Sequence, residues 1–193
     1  CGKNKAEVVL DCAAAAPYLP LADLFAGGAV SAMFWSAHKF CGGPGGSGVL
    51  VVKQEWLGAS EPVVKGGGTV RFVSNTRCDL ADDLVRRHEG GTPNIIGDIR
   101  AALALQLKIS KDELRLAEQY QSLACNVRSR LDKIPNLPVL GPRSGHFMPT
   151  VAFNIFSRSR ILPYSQVVAL LSDLYGIQAR GGCSCAGPYA HHL

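Results

Sequence analysis

The sequence has no long apolar run and no dense block of charge. A membrane-spanning helix needs roughly 20 consecutive apolar residues, and no stretch of this 193-residue chain reaches that length. Basic residues outnumber acidic ones by 20 to 15, but they are scattered. We therefore expect neither a membrane nor a nucleic-acid partner. With 47% hydrophobic and 18% charged residues, the composition is typical of a soluble globular protein with one sizeable core.

The cysteines lack the even number and regular spacing of a disulfide framework. Seven are present, at Cys1, Cys12, Cys41, Cys78, Cys125, Cys183 and Cys185. Reduced thiols are the simpler interpretation, so we expect an intracellular protein, most simply a cytoplasmic one, although no residue indicates an organelle.

The chain also lacks an initiator methionine, an apolar signal segment and internal repeats. It opens at Cys1 and stops abruptly after His191, His192 and Leu193. We expect it to be part of a longer protein.

Polar residues follow apolar runs at two places in the first half of the chain. Residues 8–10 predict a buried parallel strand that ends at Asp11, and residues 32–35 predict a second buried strand that leads into Ser36, His38 and Lys39. A third strand is predicted over residues 49–52, after a glycine-rich turn. Because ligands in open α/β sheets bind at the carboxyl ends of strands, both polar groups are candidate site residues.

The second half of the chain reads as a helix pair followed by a small α/β unit. Helical periodicity over residues 95–131, broken near Ser110, predicts the pair. A strand over residues 150–155, a helix over 165–175 and a short strand over 177–180 are predicted after a proline-rich boundary. We accordingly expect a large α/β domain over residues 1–108 and a small one over 109–193, each incomplete.

Lys39 lies between an imidazole and a glycine-rich turn, so its amine could attack an aldehyde. Ser36 and His38 can donate hydrogen bonds to a phosphate, and the glycines allow the backbone to approach a ligand closely. Asp11 could hold a pyridinium nitrogen in its protonated form. An isolated lysine after a strand is usually a solvated surface residue. The prediction of a ligand site therefore depends on finding Lys39 together with Ser36, His38, Asp11 and the glycine-rich turn.

The segment from Ser36 to Lys39, followed by Gly43-Pro44-Gly45-Gly46-Ser47-Gly48, resembles the lysine motif of the class V aminotransferase and cysteine desulfurase family. Residues 66–68, residues 89–94 and Arg180 follow in the order of that family. The resemblance implies part of a fold-type I pyridoxal-phosphate (PLP) enzyme, with a mixed-sheet large domain and a small C-terminal domain.

The resemblance also implies roles for individual residues. Lys39 would be the Schiff-base lysine, Asp11 the pyridinium partner, and Ser36 and His38 phosphate contacts. Thr92 would reach the phosphate of a neighbouring subunit, which implies a homodimer with shared active sites. Arg180 would bind the substrate carboxylate, because a planar guanidinium can donate two hydrogen bonds to a carboxylate.

The segment after Arg180 points to one reaction within the family. In the group of cysteine desulfurases that this chain resembles, a nucleophilic cysteine stands five residues after the substrate-binding arginine. Cys185 occupies that position. It would take sulfur from L-cysteine as a persulfide and release alanine, with a sulfur-acceptor protein as a further partner. Cys183 is a neighbouring thiol that could resolve or relay the sulfur.

Other interpretations of these thiols and of the family position stay open. Cys183 and Cys185 could be small packing residues, or metal ligands together with His191 or His192, but no further ligand pair is spaced to complete a metal site, and we predict none. Class V transamination or a related lyase reaction on another amino acid is the alternative activity.

Two departures from the family pattern indicate a divergent branch. Ala14 stands where members commonly carry a glutamine that bonds the cofactor's ring hydroxyl, and Gly42 is an extra glycine before Pro44. The loss of the glutamine gives some support to a third alternative, a non-catalytic relative with a binding or scaffold role.

Overall fold

The computed structural model describes residues 6–58 and 61–192 of the chain. The strands are β1 Val9–Asp11, β2 Ala32–Ser36, β3 Gly48–Val52, β4 Val70–Val73, β5 Cys78–Leu80, β6 Phe156–Ser157 and β7 Arg160–Ile161. The α-helices are α1 Leu21–Ala26, α2 Gln54–Leu57, α3 Leu84–His88, α4 Ile95–Ile109, α5 Glu113–Leu131, α6 Tyr164–Tyr175 and α7 Gly187–Ala190. Short 3₁₀ helices cover Ala16–Tyr18 and Ala37–Lys39.

Residue contacts divide the chain into two compact units, Cys1–Ala117 and Glu118–Leu193. The division falls within α5. The assignment of residues 1–108 and 109–193 to the large and small domains of a longer protein stays a prediction.

A three-stranded mixed sheet is the centre of the first unit. Its order is β1-β2-β3, with β1 parallel to β2 and β3 antiparallel to β2. The parallel pairing of β1 and the position of β3 confirm the predicted strands. The sheet and the helices around it give the mixed α/β architecture that the fold-type I resemblance implies.

One face of this sheet packs on the core of the first unit. Met33 and Trp35 are 3% and 6% exposed and belong to one apolar cluster, against which Leu10, Val49 and Val51 pack. Alternation along a strand turns Val9 and Phe34 to the other face, where they are 48% and 39% exposed. The prediction that both strands are buried throughout was therefore wrong, because only one face of the sheet is covered within the described residues.

The helix pair occurs as predicted, with its break between Ile109 and Glu113. The side chain of Asn94 caps the start of α4 by accepting a 3.2 Å hydrogen bond from the Gly97 N–H. The buried residues of α4 are Gly97, Ala101 and Ala104. These small residues suit close packing, and the larger apolar residues of the helix lie mostly on its exposed side, namely Ile99, Leu103 and Leu107.

The second unit contains fewer strands than predicted. Residues 150–155 form no strand; Phe153 makes an isolated antiparallel bridge with Val139. Pro138 lies beside that bridge and has no N–H to donate, so the ladder is interrupted. The short strand predicted over 177–180 is also absent, since no described strand pairs with it. The predicted helix is present as α6.

No helix within the described residues is both long and apolar enough to span a membrane.

Candidate active site

Asp11 ends β1 with a solvent-exposed carboxylate. Its Oδ1 accepts a 2.9 Å hydrogen bond from the Ala13 N–H, while its other oxygen has no partner among the described residues. The backbone hydrogen bond orients the carboxylate and leaves one oxygen for a ligand.

Ser36 reaches the same face of the sheet as Asp11. Asp11 is in register with Phe34 across the parallel pair, and Ser36 lies two residues beyond Phe34 along β2. Because side chains alternate along strands, Asp11, Phe34 and Ser36 share the face opposite the core. This face therefore presents a carboxylate and a hydroxyl beside an exposed aromatic ring.

The 3₁₀ helix Ala37–Lys39 follows directly from β2 and carries His38 and Lys39. Both side chains are exposed. Neither makes a hydrogen bond or ion pair with the described part of the chain. The described residues therefore do not bury the lysine amine, and the amine is free to attach a ligand.

The glycine-rich turn after Lys39 folds back beneath the 3₁₀ helix. Phe40 N–H donates to the Ala37 carbonyl at 3.0 Å, and Gly43 N–H donates to the Phe40 carbonyl at 3.0 Å. A Cβ at Gly43 would lie 1.9 Å from the Ala37 oxygen, so no other residue fits there. The extra glycine, Gly42, has φ +79°, a conformation that favours glycine.

The start of α4 packs against the other side of this turn. Ser47 N–H donates to the Gly97 carbonyl at 3.0 Å, and a Cβ at Gly46 would lie 3.4 Å from the Ala101 nitrogen. The Ser47 Oγ is buried there and has no hydrogen-bond partner among the described residues. The turn is consequently held between α4 and the segment that carries Lys39.

Thr92 is exposed in the loop that precedes α4. Gly91 N–H donates to the Gly67 carbonyl at 2.7 Å, so this loop is tied to the segment of residues 66–68. The hydroxyl of Thr92 makes no hydrogen bond within the described residues, which leaves it free for a ligand or another molecule.

Arg180, Cys183 and Cys185 belong to the second unit, and all three side chains are exposed. Gly181 packs against α6, since a Cβ there would lie 2.5 Å from the Tyr164 Cδ2. The segment between Arg180 and the two thiols is therefore anchored on that helix.

A tight turn presents the two thiols. Ala186 N–H donates to the Cys183 carbonyl at 2.7 Å, and the central residues Ser184 and Cys185 have φ of 44° and 68°. Left-handed backbone costs a residue with a side chain roughly 1–2 kcal/mol. Asn136, Arg158 and Ser159 have the same backbone conformation, so the strain alone does not mark Cys185. The exposure of its side chain on this turn favours a reactive role over packing in the core.

The first unit thus gathers Asp11, Ser36, His38 and Lys39 around the carboxyl ends of β1 and β2, and places Thr92 in the loop before α4. Arg180 and Cys185 lie together in the second unit. Within the described residues, no group of three or more His, Cys, Asp or Glu side chains is arranged to hold a metal ion.

Comparison with known proteins identifies the family. The model of the family described as aminotransferase class-V matches residues 1–193. The chain belongs to the class V aminotransferase family. A cysteine desulfurase of Escherichia coli O8 (strain IAI1) is 32% identical over 154 residues, which cover 80% of this chain and 36% of that protein.

Solved structures of class V relatives share the fold. An apo cysteine desulfurase from Thermococcus onnurineus NA1 has a TM-score of 0.80 at 29% identity, covering 97% of this chain and 45% of that one. The cysteine desulfurase CsdA (S-sulfonic acid) from Escherichia coli has a TM-score of 0.75 at 29% identity, covering 94% of this chain and 43% of that one. The chain therefore spans less than half the length of these relatives.

The class V family comprises PLP-dependent enzymes, and the donor set of the first unit fits that cofactor. A carboxylate with a free oxygen, a hydroxyl, an imidazole and an unpaired amine match the pyridine nitrogen, the phosphate and the aldehyde of PLP. Ala14 offers only an exposed methyl group. The fit therefore holds without a side-chain contact from that position.

Cys12 lies next to this donor set, but it is a poor nucleophile. Its side chain is 3% exposed. Burial, with a smaller contribution from the Asp11 carboxylate, raises the pKa of its thiol. Cys12 is therefore a packing residue of the core rather than a reactive group.

Sequence reasoning missed two features of the site. Phe34 was predicted to be buried, although its alternation with Met33 and Trp35 could have placed it on the face that carries Asp11. The strained turn at Ser184 and Cys185 has no sequence signal, because residues with left-handed backbone are usually glycine or asparagine.

Proposed function

We propose that the full-length protein is a PLP-dependent cysteine desulfurase, which removes sulfur from L-cysteine as a persulfide on Cys185 and releases alanine. One observation carries the choice of reaction: Cys185 is exposed on a strained turn five residues after Arg180. The similarity to cysteine desulfurases over most of the chain supports the same choice.

The residues around β1 and β2 would hold the cofactor. Lys39 would attach it covalently, and Asp11, with its free carboxylate oxygen, would keep the ring nitrogen protonated. Ser36 and His38 donate to the phosphate, and Thr92 donates to the phosphate bound by a second copy of the chain. PLP, when bound, supplies the electron sink that weakens the bonds at the α-carbon of an amino acid.

The substrate requires three further actions from the chain. Arg180 binds the carboxylate of L-cysteine through its planar guanidinium, which makes no hydrogen bond or ion pair with the described residues. The Lys39 amine would move the α-proton of the substrate, as general base and then as general acid. Cys185 attacks as a thiolate and takes the sulfur of the substrate.

Replacing Cys185 tests this assignment, and Cys125 offers a matched control because it is also an exposed thiol of the second unit. Cys185→Ser in the full-length protein should abolish alanine and persulfide formation but leave the visible absorbance of bound cofactor unchanged. Cys125→Ser should behave like wild type. Turnover of L-cysteine by Cys185→Ser at the wild-type rate would refute the mechanism.

Class V transamination is the alternative that the same experiment separates. It would use Lys39, Asp11 and Arg180 in the same roles, transfer an amino group to a keto acid, and be indifferent to the loss of Cys183 and Cys185. A non-catalytic relative would show no visible absorbance of bound cofactor.

The proposal also includes partners and a location. We propose a homodimer whose active sites are shared through Thr92, and a sulfur-acceptor protein that receives the persulfide sulfur. Six described cysteines are free thiols, which supports a reducing compartment such as the cytoplasm.

A further inference from the structure

The turn places the backbone of a second cysteine, Cys183, close to that of Cys185. Cys183 and Cys185 are the first and third residues of the turn closed by the 2.7 Å hydrogen bond from Ala186 N–H to the Cys183 carbonyl. Consecutive Cα atoms are ~3.8 Å apart, and the chain bends at Ser184, so the Cα atoms of Cys183 and Cys185 are about 5–6 Å apart. That separation lies inside the range of about 4.4–6.8 Å found for disulfides.

The surroundings of the turn leave both thiols accessible and able to move. Both side chains are exposed, and neither thiol has a hydrogen-bond partner among the described residues. Gly182 precedes the turn with φ +90°, and Gly187 follows it with open space around the position of a Cβ. The turn therefore has room to rearrange on the side of Gly187, while Gly181 and Gly182 stay packed against Tyr164 of α6.

We propose that Cys183 discharges the Cys185 persulfide by forming a Cys183–Cys185 disulfide and releasing sulfide. This inference rests on the proposed desulfurase function, because the persulfide is its starting point. The pair would make the site redox-sensitive: after one turnover Cys185 is blocked until a dithiol reductant restores it.

The step balances without an external oxidant. The deprotonated Sγ of Cys183 attacks the Sγ of Cys185, and a new Sγ–Sγ bond forms. The bond between the Cys185 Sγ and the terminal sulfur breaks, and the terminal sulfur leaves with the electron pair as hydrosulfide. In this step the terminal sulfur is reduced and the Cys183 sulfur is oxidised, while the Cys185 Sγ keeps the oxidation state that it reached in the persulfide. A dithiol then reduces the disulfide and is itself oxidised to a disulfide.

An acceptor protein would instead attack the terminal sulfur, which leaves both cysteines as thiols. Attack by Cys183 and transfer to an acceptor therefore compete for the same persulfide. Free sulfide and a blocked site are the expected products when no acceptor is present.

A single-turnover experiment on the PLP-loaded full-length protein tests the inference. One equivalent of L-cysteine per active site is added without any other thiol, and alanine, sulfide and the mass of the peptide containing residues 181–189 are measured. Wild type should yield alanine, sulfide and a peptide that has lost two hydrogens. Cys183→Ser should yield the same alanine, keep one extra sulfur on Cys185, and release at most about a tenth of the sulfide.

Several results would overturn the inference, and they differ from failure of the desulfurase function. Sulfide release by Cys183→Ser at the wild-type level, or a wild-type persulfide with no disulfide, would refute the role of Cys183 alone. Absence of alanine from wild type would refute both proposals. Cys125→Ser is the control and should match wild type in all three measurements.

A redox titration gives a readout that does not depend on turnover. In dithiol buffers of graded potential, the wild-type protein should form the Cys183–Cys185 disulfide reversibly. Cys183→Ala should form no internal disulfide at Cys185. Absence of this disulfide from wild type under oxidising buffer would contradict the proposal.

Discussion

Adjacent side chains at the end of β1 have opposite environments. Asp11 faces solvent, while Cys12 is packed in the apolar cluster with Met33 and Trp35. Alternation along the extended chain produces this contrast, and it separates a ligand-binding carboxylate from an inert thiol. Position alone would not distinguish Cys12 from the five exposed cysteines that the structure describes.

Alkylation of the native protein tests that distinction. Because the Cys12 thiol is buried and its pKa is raised, it should react with iodoacetamide at least about tenfold more slowly than Cys183 and Cys185. Peptide mass spectrometry over time measures each rate. Equal labelling of Cys12 before unfolding would show that its environment is not the one described.

Lys39 is the residue on which the cofactor assignment depends. Lys39→Ala in the full-length protein should remove the visible absorbance of covalently bound cofactor and lower alanine formation roughly 10²–10⁴-fold, because the acid–base group is lost. Lys111→Ala is the control, since Lys111 is also exposed and its side chain has no partner in the described chain. Retention of normal absorbance by Lys39→Ala would exclude the assignment.

At the scale of elements, close packing as well as backbone hydrogen bonds fixes the glycine-rich turn after Lys39. Gly43→Ala would force a Cβ against the Ala37 carbonyl, so we expect a loss of about 1–3 kcal/mol in the free energy of unfolding, typical of overpacking. Gly67→Ala is the control, because nothing lies within 4 Å of its Cβ position. Denaturant unfolding of both variants measures the difference, and equal stability would contradict the described packing.

In the second unit, α5 holds the loop of residues 140–147 through Arg128. This side chain is 9% exposed, donates to the Leu140 and Gly141 carbonyls at 3.1 and 3.2 Å, and lies 4.9 Å from the centre of the Phe147 ring. Gln121 adds a 2.7 Å contact, accepting from the Phe147 N–H.

Removal of this side chain should leave two carbonyls without their donor. Arg128→Ala is expected to destabilise the protein by about 2–4 kcal/mol, from charged hydrogen bonds and the cation–π contact. Arg130→Ala, which removes an exposed arginine of the same helix, should cost little. Thermal unfolding compares the two variants, and a similar small effect in both would show that Arg128 does not hold the loop of residues 140–147.

Local sequence patterns predicted the elements that depend on local chemistry. The helix pair around Ser110 and the parallel β1–β2 pair follow from periodicity and apolar runs. The strand expected over residues 150–155 is reduced to a bridge, because Pro138 in the segment that pairs with it lacks an N–H. The sequence does not show which segment pairs with residues 150–155, so this interruption could not be predicted. The exposure of Phe34 likewise depends on which face of the sheet the core covers.

For the whole molecule, the order of the motifs indicated the family, and the family model that matches residues 1–193 confirms it. The site residues themselves stay predictions, since no ligand contact tests them. The chain covers 36% of a curated relative and 45% of a solved one. Tests of function accordingly belong to the full-length protein.

The most direct test of the central claim is a visible absorption spectrum of the purified full-length protein, followed by addition of L-cysteine with quantification of alanine. The account predicts an absorption band from cofactor bound at Lys39 that changes with L-cysteine, and alanine formed with its sulfur recovered on Cys185 or as sulfide. A protein that shows no such band, or whose band responds to other amino acids while L-cysteine yields no alanine, would contradict the desulfurase function.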